Sequence, residues 1–166
     1  MSYTVTMSSI ANVQSPIVPK TKNVRPIALL LAGILGVFVV AQLFGFDEFQ
    51  LLVQSFWLPG GKPFAYFLSG FIVVAEVFAL PFLLNMRIST LLRILSMILT
   101  WIVPAIWLTL SLWLQLTTNA VTNIGFLGTH IVLMPGWWTV LFSIALAMLA
   151  AWASWGMWPW GHSHKK

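Results

Sequence analysis

Four long apolar runs, at residues 27–44, 64–84, 88–114 and 137–155, constrain this chain more than any other feature. A helix needs roughly 20 apolar residues to cross a bilayer, because it rises about 1.5 Å per residue. In lipid, only helices and closed barrels satisfy their own backbone groups. These runs lack the two-residue alternation of a barrel strand, so they predict helices. Composition agrees: 60% of the 166 residues are hydrophobic and 7% are charged, against about 25% charged in a soluble domain. A chain of this length could not hide so much apolar surface from water in a core of its own. The expected fold is an all-α integral membrane protein, a bundle of four transmembrane helices. Residues 1–26 form an N-terminal tail, 27–158 the membrane domain and 159–166 a basic C-terminal tail.

The basic residues predict the orientation. Lys20, Lys22 and Arg25 precede the first run, Arg87 and Arg93 flank the turn between the second and third, and Lys165 and Lys166 end the chain. Four crossings place all of these on one side. The other side holds Lys62, beside the acids Asp47 and Glu48. Positive residues favour the cytoplasm. Both termini are therefore expected inside, with a bacterial inner membrane as the setting. The formal net charge of +5 is read as this topology signal and not as nucleic-acid binding, for which no basic groove or motif is present. The tail contains Ser15-Pro16-Ile17-Val18-Pro19-Lys20, which resists helix formation because proline fixes φ and lacks a donor. It reads either as a plain cytoplasmic tail or as a docking arm.

Many of the 10 tryptophans flank the runs, among them Trp57, Trp113, Trp137, Trp138, Trp155 and Trp158. Such rings anchor helices at the headgroup level. Trp101 and Trp107 lie inside the third run on either side of Pro104. They read as packing beside a proline kink, or as an aromatic wall for a quinone, pigment or lipid. Pro81 predicts a bend in the second run. In the first run Ala28, Ala32, Gly33 and Gly36 include the small-xxx-small pair Ala32/Gly36, which permits close helix approach.

Glu76 stands out because an ionised carboxylate is costly within a span, so such residues usually face the bundle interior and have a role. Ser96 and Thr100, at similar depth on the third run, are the expected hydrogen-bond partners. Two readings remain open: a proton-linked or ligand-binding group, and a polar tie between the second and third helices.

Other chemistries are absent from the residue list. There is no cysteine, hence no thiolate nucleophile, disulfide exchange or cysteine-ligated Fe–S cluster in this chain. No P-loop, dinucleotide-binding or zinc-protease motif occurs. His162 and His164 belong to the basic tail. His130, in the second outer segment, is a candidate single ligand for a pigment or metal.

The order of features resembles a known family. Phe46-Asp47-Glu48-Phe49 follows the first run, and then come Leu58-Pro59 and the run containing Glu76. After the third run come Asn123-Ile124-Gly125-Phe126-Leu127-Gly128 and then Pro135-Gly136-Trp137-Trp138. Over about residues 27–155 the chain resembles the four-helix DoxX-like membrane proteins, and among them the MauE-type proteins of methylamine utilisation. Those typically carry Cys-Gly-Cys-Phe-Gly in the second outer loop. Here the two glycines fall on Gly125 and Gly128, and Ile124 and Phe126 stand where the cysteines would be. Glycine at these positions suits a backbone with φ > 0.

The resemblance implies a compact bundle whose outer loop, with Asp47, Gly125, Gly128 and His130, meets a partner. Without the cysteines, disulfide exchange by this chain is excluded. The expected function is a non-catalytic membrane accessory subunit that scaffolds or helps assemble a larger membrane or periplasmic redox complex. One alternative is a quinone-linked oxidoreductase subunit with a ligand site near Glu76, Trp101 and Trp107. Another is a small proton or solute carrier.

Overall fold

The computed structural model describes residues 16–17, 19–117 and 121–158. They form five helices: α1 (Val24–Phe44), α2 (Phe46–Gln54), α3 (Gly61–Leu83), α4 (Thr90–Thr117) and α5 (Trp137–Gly156). Four of them, α1, α3, α4 and α5, are long and apolar enough to cross a membrane. Each contains one of the four predicted runs almost entirely. The short α2 is an addition. Its nine residues are amphipathic, with Asp47 and Glu48 in the first turn and Phe49 and Val53 buried. Acids there suit the positive end of the helix dipole.

The long helices close a ring. α1 packs on α3, α3 on α4, α4 on α5 and α5 on α1, while α2 lies against α3. Leu31, Leu35, Ile72, Val103, Leu110 and Leu146 fill the centre. Lipid tails are as apolar as leucine, so close packing and interhelical hydrogen bonds hold such a bundle together. Ala75 and Ala79 let α3 approach its neighbours and are fully buried. Ser111 and Ser143 link α4 to α5 through their hydroxyls at 3.3 Å.

Ser96 repairs the backbone around Pro81. Its hydroxyl accepts from the Phe82 N–H at 2.9 Å and donates to the Ala79 carbonyl at 3.2 Å. A proline inside a span is tolerated when a neighbouring side chain meets the backbone groups near it.

The bundle has two unlike ends. At one, residues 16–17 and 19–23 lie against the helices as an arm. The Asn85 side chain accepts from the Ile17 N–H at 2.9 Å and donates to the Ile17 carbonyl at 2.8 Å. Asn85 holds φ 52°, a conformation asparagine tolerates better than most residues. The Lys20 N–H bonds the Gly156 carbonyl at 3.1 Å, and its ammonium sits 5.3 Å from the Trp155 ring centre. The expected tail boundary at residue 26 thus falls inside α1, and Pro26 sits in its first turn, where its missing N–H is harmless. Of the predicted tails, residues 1–15, residue 18 and residues 159–166 lie outside the described residues. At the other end, α2 and residues 121–136 form a cap.

The small residues of α1 divide between two environments. Ala28 and Ala32 are buried in the ring, whereas Gly33 is exposed and nothing lies within 4 Å of where its Cβ would be. The Ala32/Gly36 pair therefore does not form one buried seam, because Gly36 is only half-buried and likewise has open space above it.

Candidate functional site

The cap is built around Asn123. Its side-chain oxygen accepts from the N–H groups of Gly125, at 3.0 Å, and Leu133, at 3.2 Å, and its amide donates to the Gly128 carbonyl at 3.1 Å. The Ile124 N–H bonds the Leu133 carbonyl at 2.9 Å. Gly125 has φ 86° and Gly128 φ 65°, where a side chain is strained. A Cβ on Gly128 would also lie 2.5 Å from the Ala41 carbonyl oxygen. The chain therefore turns tightly against α1.

That turn drives Ile124 and Phe126 inward, to 0% and 1% exposure. The Phe126 ring is surrounded by aromatic rings: Trp107 at 4.6 Å, Phe142 at 5.3 Å, Phe38 at 5.4 Å and Trp138 at 6.4 Å between centroids. Edge and offset contacts of this kind add to what area burial alone provides. The cap is a plug set into the bundle.

Under the plug lies the buried polar cluster. Glu76 is on the buried face of α3, with Ile72, Val73 and Ala79. Its Oε1 accepts from Trp107 Nε1 at 2.9 Å and from Gln42 Nε2 at 3.5 Å. Gln42 Nε2 also donates to the Phe126 carbonyl at 3.3 Å. Glu76, Gln42 and Trp107 are all fully buried. Among the described residues, Glu76 Oε2 and Gln42 Oε1 have no partner. Three spans thus meet at one carboxyl group, and Gln42 links it to the cap.

Ser96 and Thr100 are not the partners of Glu76. Ser96 serves the backbone near Pro81, and Thr100 donates to the Ser96 carbonyl at 2.9 Å. The reason is side-chain direction. Counted from the Phe82–Ser96 contact, Glu76 lies level with about Ile102 on antiparallel α4. A long helical side chain leans toward its own N-terminus, so Trp107, further along, reaches back to that level.

Trp101 and Trp107 do not form a shared wall. Trp107 is fully buried, while Trp101 is 45% exposed on the outside of the bundle. Six residues of α-helix rotate a side chain by about 240°, which separates them. A groove of about 390 Å³ does run between α3 and α4, lined by Phe64, Leu68, Ile106, Thr109 and Trp113 among others. It is apolar, and Glu76 is not among its lining residues.

The charged and ionisable residues of the cap lie at the surface. Asp47 is exposed, and Glu48 Oε2 accepts from the Thr129 hydroxyl at 2.7 Å, joining α2 to the cap. His130 is exposed, with its ring 5.4 Å from that of Phe44. Among the described residues no three His, Cys, Asp or Glu side chains come together in a way that could hold a metal ion.

Gln42 and the Phe126 carbonyl are the participants sequence reasoning missed. A primary amide in the last turn of an otherwise apolar span was the available signal for Gln42. Comparison with protein-family models, curated proteins and solved structures finds no match for this chain.

Proposed function

We propose that this protein is a non-catalytic accessory subunit of the bacterial inner membrane, of the DoxX-like or MauE type, that helps hold or assemble a larger membrane or periplasmic redox complex. The observation that carries this reading is the plug. Ile124 and Phe126, which stand where the resembled family has cysteines, are buried hydrophobes, so this loop acts by shape. What the cap offers a partner is its outer strip, where Ile131, Val132 and Met134 are each more than half exposed. Contiguous exposed apolar residues commonly mark an interaction surface. The orientation has both termini in the cytoplasm, supported by the basic residues Lys20, Lys22, Arg25 and Arg87 at the arm end. The cap then faces the periplasm.

Gentle purification from the native membrane tests the reading. A stoichiometric assembly, whose partner chain crosslinks to the Ile131–Met134 strip, supports it. A lone chain that turns over a quinone substrate, and loses that activity in Glu76→Gln, contradicts it.

A further inference from the structure

The two unpartnered atoms of the buried cluster are complementary in a specific way. Glu76 Oε1 is filled by two donors, and Gln42 Nε2 is filled by two acceptors. What remains is one oxygen on each group, Glu76 Oε2 and Gln42 Oε1. Both would be acceptors if Glu76 were ionised, and two buried acceptors without a donor are costly. One proton on Oε2 removes the conflict, since a carboxylic acid donates one O–H and an amide carbonyl accepts it. The Gln42 amide already donates, at 3.5 Å, to the other oxygen of the same carboxyl group, so a proton on Oε2 is the one donor that a two-way acid–amide pair still requires.

We propose that Glu76 is a proton-binding site, whose bound proton pairs the carboxyl group with the Gln42 side chain and thereby locks the cap onto the bundle. Gln42 is the coupling element, because the same Nε2 holds the Phe126 carbonyl. Loss of the proton sets Glu76 Oε2 against Gln42 Oε1. The amide is pushed to turn, and turning it takes its donor away from Phe126.

Among the described residues the charged groups offer no substitute for the proton. Of the elements packed around Glu76, α1 carries Arg25 at its far end and α4 carries Arg93, whose guanidinium donates to the Met86 carbonyl at the arm end. α5 carries no titratable residue. On α3 itself Lys62 and Tyr66 are exposed, as are Asp47 and Glu48 on α2 and His130 on the cap.

Infrared spectroscopy of the purified protein in lipid tests the site. A protonated carboxyl C=O band that shifts on H/D exchange is expected in the wild type at neutral pH, and it should vanish in Glu76→Gln. Its absence from the wild type overturns the proposal without depending on any variant's folding.

Amide exchange in residues 123–133 tests the coupling. Glu76→Gln provides an N–H₂ in place of the O–H, so its cap should exchange within about twofold of wild type. Gln42→Leu should exchange about tenfold faster or more, the scale of a lost buried hydrogen bond. Raising the pH should open the wild-type cap beyond the intrinsic base-catalysed rate and leave Glu76→Gln at that rate. A Glu76→Gln cap as labile as that of Gln42→Leu, or a Gln42→Leu cap as protected as wild type, overturns it.

Discussion

The indole N–H of Trp107 donates to Oε1 of Glu76 at 2.9 Å, across the α3–α4 interface, with both side chains fully buried. The contact joins the single acid of the described spans to the ring against which the cap's Phe126 packs. Trp107→Phe keeps most of the apolar contact and removes the donor. It is expected to destabilise the protein by about 1–3 kcal/mol. Combined with Glu76→Leu, the loss should be smaller than the sum of the single losses, because the pair acts as a unit. Thermal unfolding in a mild detergent reads this out; additive effects would deny the coupling.

Gly128→Ala should damage the cap more than its single methyl suggests. It places a Cβ against the Ala41 carbonyl and holds alanine at φ 65°. Left-handed backbone at a non-glycine residue costs on the order of 1–3 kcal/mol, before the clash is counted. A fall in stability, with faster amide exchange confined to residues 123–133, is expected. Unchanged exchange there would show that the tight approach to α1 is not maintained in the protein.

Two buried serines should respond differently. Ser111→Ala removes one hydroxyl contact, with Ser143, whose hydroxyl still donates to the Thr139 carbonyl. A loss near 0.6 kcal/mol is expected, typical of polar contacts between spans. Ser96→Ala removes two hydrogen bonds to the α3 backbone beside Pro81, one from the Phe82 N–H and one to the Ala79 carbonyl, with a loss of about 1–3 kcal/mol. Equal stability of the two variants would remove the repair role assigned to Ser96.

The absence of cysteine makes topology simple to measure. Thr122→Cys on the cap is expected to react in intact cells with a thiol reagent that cannot cross the inner membrane. Lys22→Cys on the arm should react only after the membrane is opened. Both positions are exposed. The reverse pattern would invert the orientation.

The spans were legible because lipid demands long apolar runs, and each run signals its helix without help from its neighbours. α2 was not, since nine residues with two acids in the first turn resemble any polar link between spans. Glu76 was visible through the cost of burying it. Its partners were not, because they depend on the order of helices in the ring and on the backward lean of long side chains. Gln42 is remote in sequence and meets Glu76 only once α1 packs on α3. The glycines of the cap were legible as turn formers, but the inward aim of Ile124 and Phe126 was not. A short apolar stretch between spans reads equally well as surface or as plug until the aromatic rings that receive it are in place.

Assembly with a partner chain through the cap surface is the central feature of the proposed function. The most direct measurement is the mass of the complex extracted from the native membrane, compared between Ile131→Arg, on the exposed strip of the cap, and Glu76→Gln, in the core. Ile131→Arg is expected to release a folded single chain while Glu76→Gln stays in the full assembly. An assembly that survives Ile131→Arg and dissociates in Glu76→Gln would contradict it.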